Sequence, residues 1–155
     1  MHWWNIDFSM VYDLAAGYEN LSVAAKLRGE RALGAVSGKA NRAVRLATTV
    51  SALGTVPIDF AALSGPAGET IVLDEVYLVI GVIKTAGGTG TLAKGASNGF
   101  TGFGSDWSFQ IYGGAPFALP CGNGLTVDST HKTATFTNIG SGSIDIELFV
   151  LGRDG

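Results

Sequence analysis

Asp128, Ser129 and His131, with the single Cys121, are the residues whose types could do nucleophilic chemistry. In that chemistry a carboxylate orients a histidine, the histidine takes a proton, and a hydroxyl or thiol attacks. Base and nucleophile must then lie within hydrogen-bond reach, and the run Asp-Ser-Thr-His-Lys (128–132) does nothing to impose it. The same residues suit the polar tip of a hairpin, because Asp and Ser side chains bond back to the turn's own backbone. A nucleophile elbow would read G-x-S-x-G. The nearest approach, Gly140-Ser-Gly-Ser-Ile144, has glycine at the serine position and also reads as a hairpin turn. No catalytic residue is assigned, and the chain is not expected to be an enzyme.

Cofactor and metal chemistry fare no better. Two histidines, His2 and His131, and one cysteine cannot build a tetrahedral nitrogen/sulfur set within one chain. Asn98, Asp106 and Asp128 offer oxygen ligands for calcium, yet no EF-hand spacing joins them. Gly34-Ala-Val-Ser-Gly38-Lys39 falls one residue short of a phosphate loop, and Ala40 stands where a magnesium-binding Ser or Thr belongs. No metal and no cofactor are expected.

What remains is binding chemistry. Lys26, Arg28, Arg31, Lys39, Arg42 and Arg45 face Glu30 alone in their window, a net of +5 in a chain whose total is −3. The segment lacks interleaved aromatics for stacking on bases, so it reads as a surface for an acidic protein partner rather than for nucleic acid. Trp3 and Trp4 are adjacent indoles near the chain start, which a docking arm would bury against a neighbour. Phe103 and Trp107, beside glycine-rich loops, could form a sugar-binding platform. The competing reading puts Trp107, with Phe109 or Ile111, on a core strand. The expected partner-binding residues are therefore Trp3, Trp4, Lys26, Arg28, Arg31, Lys39 and Arg42, with Phe103 and Trp107 as a ligand platform.

Composition points the same way. Only 15% of residues are charged while 46% are hydrophobic, too few polar groups to cover a small globule unless part of its surface meets other subunits. A membrane partner is not expected, because the longest strongly apolar run, residues 76–83, is far short of the roughly 20 residues of a span. The opening MHWWNIDFSM has neither a basic nor a continuous apolar stretch and does not read as a secretory signal. One cysteine excludes an internal disulfide.

The elements that must position these residues are mostly strands. Ile6, Phe8, Met10 and Tyr12 alternate with polar residues as in a half-buried strand. Residues 15–36 lose that period and read as an arm with at most a short helix over 21–28, capped by Asn20 and stopped by Gly29. Strands are expected at 43–51, at 56–61 with Pro57 confining it to an edge, and over 69–85, split near Asp74 or bent at Gly81. Residues 86–104 are glycine-dense and mostly loop, with Leu92 and Phe100 marking short strands. Further strands are expected at 107–112, 125–127, 133–138 and 143–151, with turns at 113–114 and 120–124. Eight to ten short strands without alternating helices indicate an all-β antiparallel β-sandwich of jelly-roll type. The expected organisation is an N-terminal strand and arm over 1–40 and a sandwich over 41–155.

Two stretches carry a resemblance. GETIVLDEVYLVI (68–80), and GLTVD (124–128) through GSIDIELFVLG (142–152), resemble small β-sandwich virion proteins of tailed bacteriophages that decorate or cement the head or form minor capsid parts. The resemblance covers about Gly68 to Gly152. It implies a homo-oligomer, commonly a trimer, that clamps the major capsid protein or other virion proteins through a terminal arm. It also implies a place in the virion after assembly in the host cytoplasm. The alternative is a carbohydrate- or receptor-binding module of a fibre or tail tip.

Overall fold

The computed structural model describes residues 40–155 apart from Pro66. The expected N-terminal strand, the arm and its helix, and the residues Trp3, Trp4, Lys26, Arg28, Arg31 and Lys39 lie outside the described residues.

The described strands are β1 (Arg42–Val50), β2 (Thr55–Asp59), β3 (Leu63–Ser64), β4 (Thr70–Ile71), β5 (Glu75–Ile83), β6 (Thr89–Lys94), β7 (Ser108–Tyr112), β8 (Phe117–Thr126), β9 (Thr133–Asn138) and β10 (Ile144–Arg153). Two four-stranded sheets, ordered β1-β10-β5-β8 and β2-β9-β6-β7, are antiparallel throughout, and β3 and β4 pair separately. This alternation of consecutive strands between two sheets is the jelly-roll order.

Side-chain alternation explains the packing. Val44, Val79, Ile83, Ile146, Leu148 and Val150 of the first sheet meet Ile58, Leu92, Ile111, Ala134 and Phe136 of the second in one buried core. Gly90 is required there, because a Cβ on it would lie 2.3 Å from the ring of Phe136. The expected break in 69–85 falls at Val72 to Asp74, and Pro57 lies on edge strand β2.

Three local expectations are corrected. Residues 120–124 are not a free turn: they lie inside edge strand β8, where the register with β5 slips between Leu78↔Pro120 and Val76↔Leu125. The surplus residues of β8 bulge there, which an edge strand tolerates. The glycine-dense stretch holds a full strand, β6, whereas Phe100 is buried outside any strand. Neither 128–132 nor 139–143 is a hairpin tip, since each joins strands of different sheets.

The sheet-crossing connections at one end are tied together by a fully buried amide. Asn138, the last residue of β9, donates from Nδ2 to the carbonyls of Val50 (3.2 Å), Ser51 (2.9 Å) and Gly142 (2.8 Å), and its Oδ1 accepts from the N–H of Gly140 (2.9 Å). It thereby joins the β1–β2 connection to the β9–β10 connection. Asn138→Leu keeps the branched outline in a larger side chain but removes all four bonds. The Ser51 carbonyl still accepts from the Gly54 N–H, while the Val50 and Gly142 carbonyls and the Gly140 N–H each lose a partner, at about 1–3 kcal/mol for a buried group left unpaired. The expected loss is about 3 kcal/mol in urea unfolding, and a loss below about 1 kcal/mol would show that the amide is dispensable.

Candidate interaction surface

The residues considered for catalysis are placed apart or occupied locally. Asp128 Oδ1 accepts from the N–H of Thr130 (2.7 Å) and of His131 (2.8 Å), and the His131 ring Nδ1 lies 3.0 Å from Asp128 Oδ2. These bonds, that of the His131 side chain first, hold the Asp128 carboxyl far below its ordinary range. The carboxylate thus shapes an exposed loop. Cys121 is buried on β8, its thiol directed to the carbonyl of Leu119 at 3.5 Å, and burial pushes its pKa up to about 11. Asp106 pairs with Lys94 Nζ at 2.9 Å, Asn98 sits in the exposed loop after β6, and no metal-ligating cluster is present among the described residues.

The residues of the expected ligand platform pack into the core. Trp107 is 7% exposed, and its ring N–H donates to the carbonyl of Phe100. Phe103 stands edge-on to Phe100 and Trp107, with centroids at 5.5 and 5.1 Å, and Phe60 and Phe109 extend the cluster. These rings use one another's faces and edges, closing one end of the core. Of the expected partner-binding residues, Arg42 is described: it lies on β1 with its Nε 2.5 Å from Asp154.

The surface offers two unusual regions that individual residues did not signal. On the outward face of the first sheet, the register aligns Ala43, Leu151 and Leu78 in one row and Phe149 and Ile80 in the next. Glu147 and Val82 share the row after that. Antiparallel sheets ordinarily turn polar residues to this side. Glu147 is the buried charge within it, gripped by Arg45 from β1 and Lys84 after β5. The Arg45 bond, then Lys84, hold its carboxyl below the usual range against the opposing effect of burial.

The second region is an end of the sandwich. The β1–β2, β5–β6, β7–β8 and β9–β10 connections meet there. They are stitched by bonds from Leu53 N–H to the Gly140 carbonyl (3.3 Å), Ile139 N–H to Thr89 (3.1 Å) and Gly114 N–H to Ile83 (2.9 Å). Residues 51–54, 84–88, 113–116 and 139–143 include one charge, Lys84, which Glu147 already partners. The connections at the opposite end carry Glu69, Asp74, Asp106, Asp128 and Lys132. At this charge-poor end, where Lys84 and Asp145 at the start of β10 are the charges among the described residues, Leu53 is 74% exposed, Tyr112 57% and Ile139 44%. Leu53 also adopts φ = 55°, a left-handed conformation uncommon for a bulky residue. An apolar side chain is thus held out in water by a strained backbone, a pattern associated with contact sites.

Two measurements check this electrostatic and thiol assignment. The depressed folded carboxyl of Glu147 contributes stability that is complete above its ordinary value of 4.5 and is lost as pH falls through the lower folded value. Glu147→Gln is therefore expected to lose less stability than the unsubstituted protein between about pH 6 and pH 2, and parallel losses would contradict the pairing. Cys121 is expected to resist a chromogenic disulfide reagent at pH 8 until urea unfolds the chain, whereas prompt native labelling would contradict its burial.

No protein-family model matches the chain, and no curated protein matches it. Among solved structures, it is similar to a Yersinia pseudotuberculosis-derived mitogen, at 12% identity and a TM-score of 0.41 over 74% of this chain and 88% of that one. It is also similar to Bacillus endospore appendages, a family of disulfide-linked pili, at 9% identity and a TM-score of 0.36 over 81% of this chain and 99% of that one. Both are too distant to say what this chain does.

Proposed function

We propose that this protein is a non-enzymatic structural component of a virus particle, a decoration or cement protein that binds the outside of a tailed-phage head. The observation carrying this reading is the end of the sandwich that is poor in charge among the described residues, where Leu53, Ile139 and Tyr112 are exposed around connections with a single, already paired charge. Such an end costs little to desolvate and supplies apolar area to a protein partner. The jelly roll behind it is a rigid mount, and the low charge of the whole chain suits a subunit surrounded by other proteins. The basic residues Lys26, Arg28, Arg31, Lys39 and Arg42 would add attraction to acidic shell subunits, with Trp3 and Trp4 as anchors. A protein that binds the closed shell and not its open form stabilises the shell by mass action.

The test is density-gradient banding of particles from the producing host, probed with antibody against this protein. The protein is expected in the particle band. The double substitution Leu53→Lys and Ile139→Lys, expected to fold normally at exposed positions, should reduce its occupancy there by about tenfold, the equivalent of about 1.4 kcal/mol. Protein found wholly in the soluble fraction beside banded particles would contradict the reading.

A further inference from the structure

The two sheets expose four edge strands, and they differ in how well they resist pairing with another chain. β2 has Pro57 at its centre, β7 is five residues long, and β8 carries Pro120 and the register slip. Proline, short length and bulges are the devices that keep sheet edges single. β1 has none of them. It is nine residues long, RAVRLATTV, without proline or glycine, and pairs with β10 from Arg42↔Gly152 to Val50↔Ile144 without a shift. Its arginines do not guard the edge either: Arg42 is bound to Asp154, and Arg45 reaches to Glu147 on β10, away from the open side. Among the described residues nothing pairs with that side.

The space beside β1 is unfinished as well. Val44 and Val50 are buried, but between them Leu46 is half-buried and Thr48 exposed, although all four belong to the face directed at the second sheet. An opening of about 270 Å³ lies beside Leu46 and Thr48, lined also by Val56, Ile58, Ile146 and Leu148.

We propose that β1 pairs antiparallel with β1 of a second copy about a twofold axis at Leu46, joining two four-stranded sheets into one of eight strands. The occupant follows from the strand's own register. Pairing all nine residues with a second copy sets Leu46 against Leu46, Val44 against Thr48, Arg45 against Ala47 and Arg42 against Val50. No like charges stand directly opposed, and the two leucines close the mouth of the opening from both sides. A strand that meets itself does so about a twofold, so the pair replaces the trimer implied by the resemblance. This pairing goes beyond the reading above and does not rest on the identity of the particle, and it leaves the charge-poor end free.

The test uses the full chain. Light scattering behind a sizing column is expected to give twice the 16.0 kDa monomer mass. Leu46→Asp, which opposes two carboxylates at the axis, should return it to monomer with an unchanged far-ultraviolet spectrum. Directly paired Cα atoms lie about 4.5–5.5 Å apart, within disulfide range. Leu46→Cys is therefore expected to cross-link nearly completely when diamide oxidises the paired thiols. Thr49→Cys, which faces Ala43 and lies about 20 Å from its own copy at about 3.4 Å per residue, should not. A monomer or trimer of the unsubstituted protein would overturn the pairing, as would a dimer in which Leu46→Cys cross-links no better than Thr49→Cys. A confirmed dimer absent from particle bands would leave the pairing standing and remove the particle reading alone.

Discussion

The four hydrogen bonds of the Asn138 amide are the constraint on which the arrangement of this jelly roll rests. In this topology consecutive strands mostly change sheets, so ladder hydrogen bonds rarely link a strand to the next in sequence. Something else must fix where the chain crosses. Asn138 binds both crossings that flank it in space, from β1 to β2 and from β9 to β10, while its own backbone N–H donates to the Gly54 carbonyl at 2.9 Å. An apolar residue could fill the volume but could not set the direction of those carbonyls. Because the crossings are set, the short connections between them can hold Leu53 and Ile139 outward instead of collapsing onto the core.

The two ends of the sandwich then divide the work. One is closed internally by Phe60, Phe100, Phe103, Trp107 and Phe109, and its loops carry the charges. The other is closed by polar backbone contacts and glycines, leaving apolar tips outside. Between them the first sheet shows two non-solvating features, an outward face with Leu78, Ile80 and Leu151, and the edge of β1, which no described strand pairs. The low charge content read from composition thus maps onto particular places. Among the described residues it reflects apolar side chains at an end, a face and an edge, while the charges there are mostly paired, as Arg45 and Lys84 are on Glu147.

Much of this was legible in the sequence because strand formation is written locally. Alternation located β1, β7, β9 and β10 to within a residue or two at most ends, Pro57 marked an edge, and Asp74 marked the break before β5. Sheet membership is not local. The polar runs 128–132 and 139–143 have hairpin chemistry yet join different sheets, because only the partner strands decide which crossing is made. Pro120 to Gly124 reads as a turn because proline and glycine dominate it, but an edge strand needs no N–H on its open side and absorbs both. Trp107 satisfied two readings, and its burial with a bonded ring N–H settles it as core. Asn138 looked like the polar end of a strand, and no neighbour in sequence announces that its partners lie 88 and 87 residues away. Nothing local in the sequence singles out Leu53 and Ile139, since exposure at an end depends on how four connections assemble.

The most direct test of the account is backbone hydrogen–deuterium exchange of the protein free in solution and bound to the particles with which it bands. Protection gained on binding at 51–54, 112–116 and 139–143, with 95–107 and 127–132 unchanged, is the predicted result. Protection confined to the aromatic, charged end would contradict it and would place the contact where this account puts only internal packing.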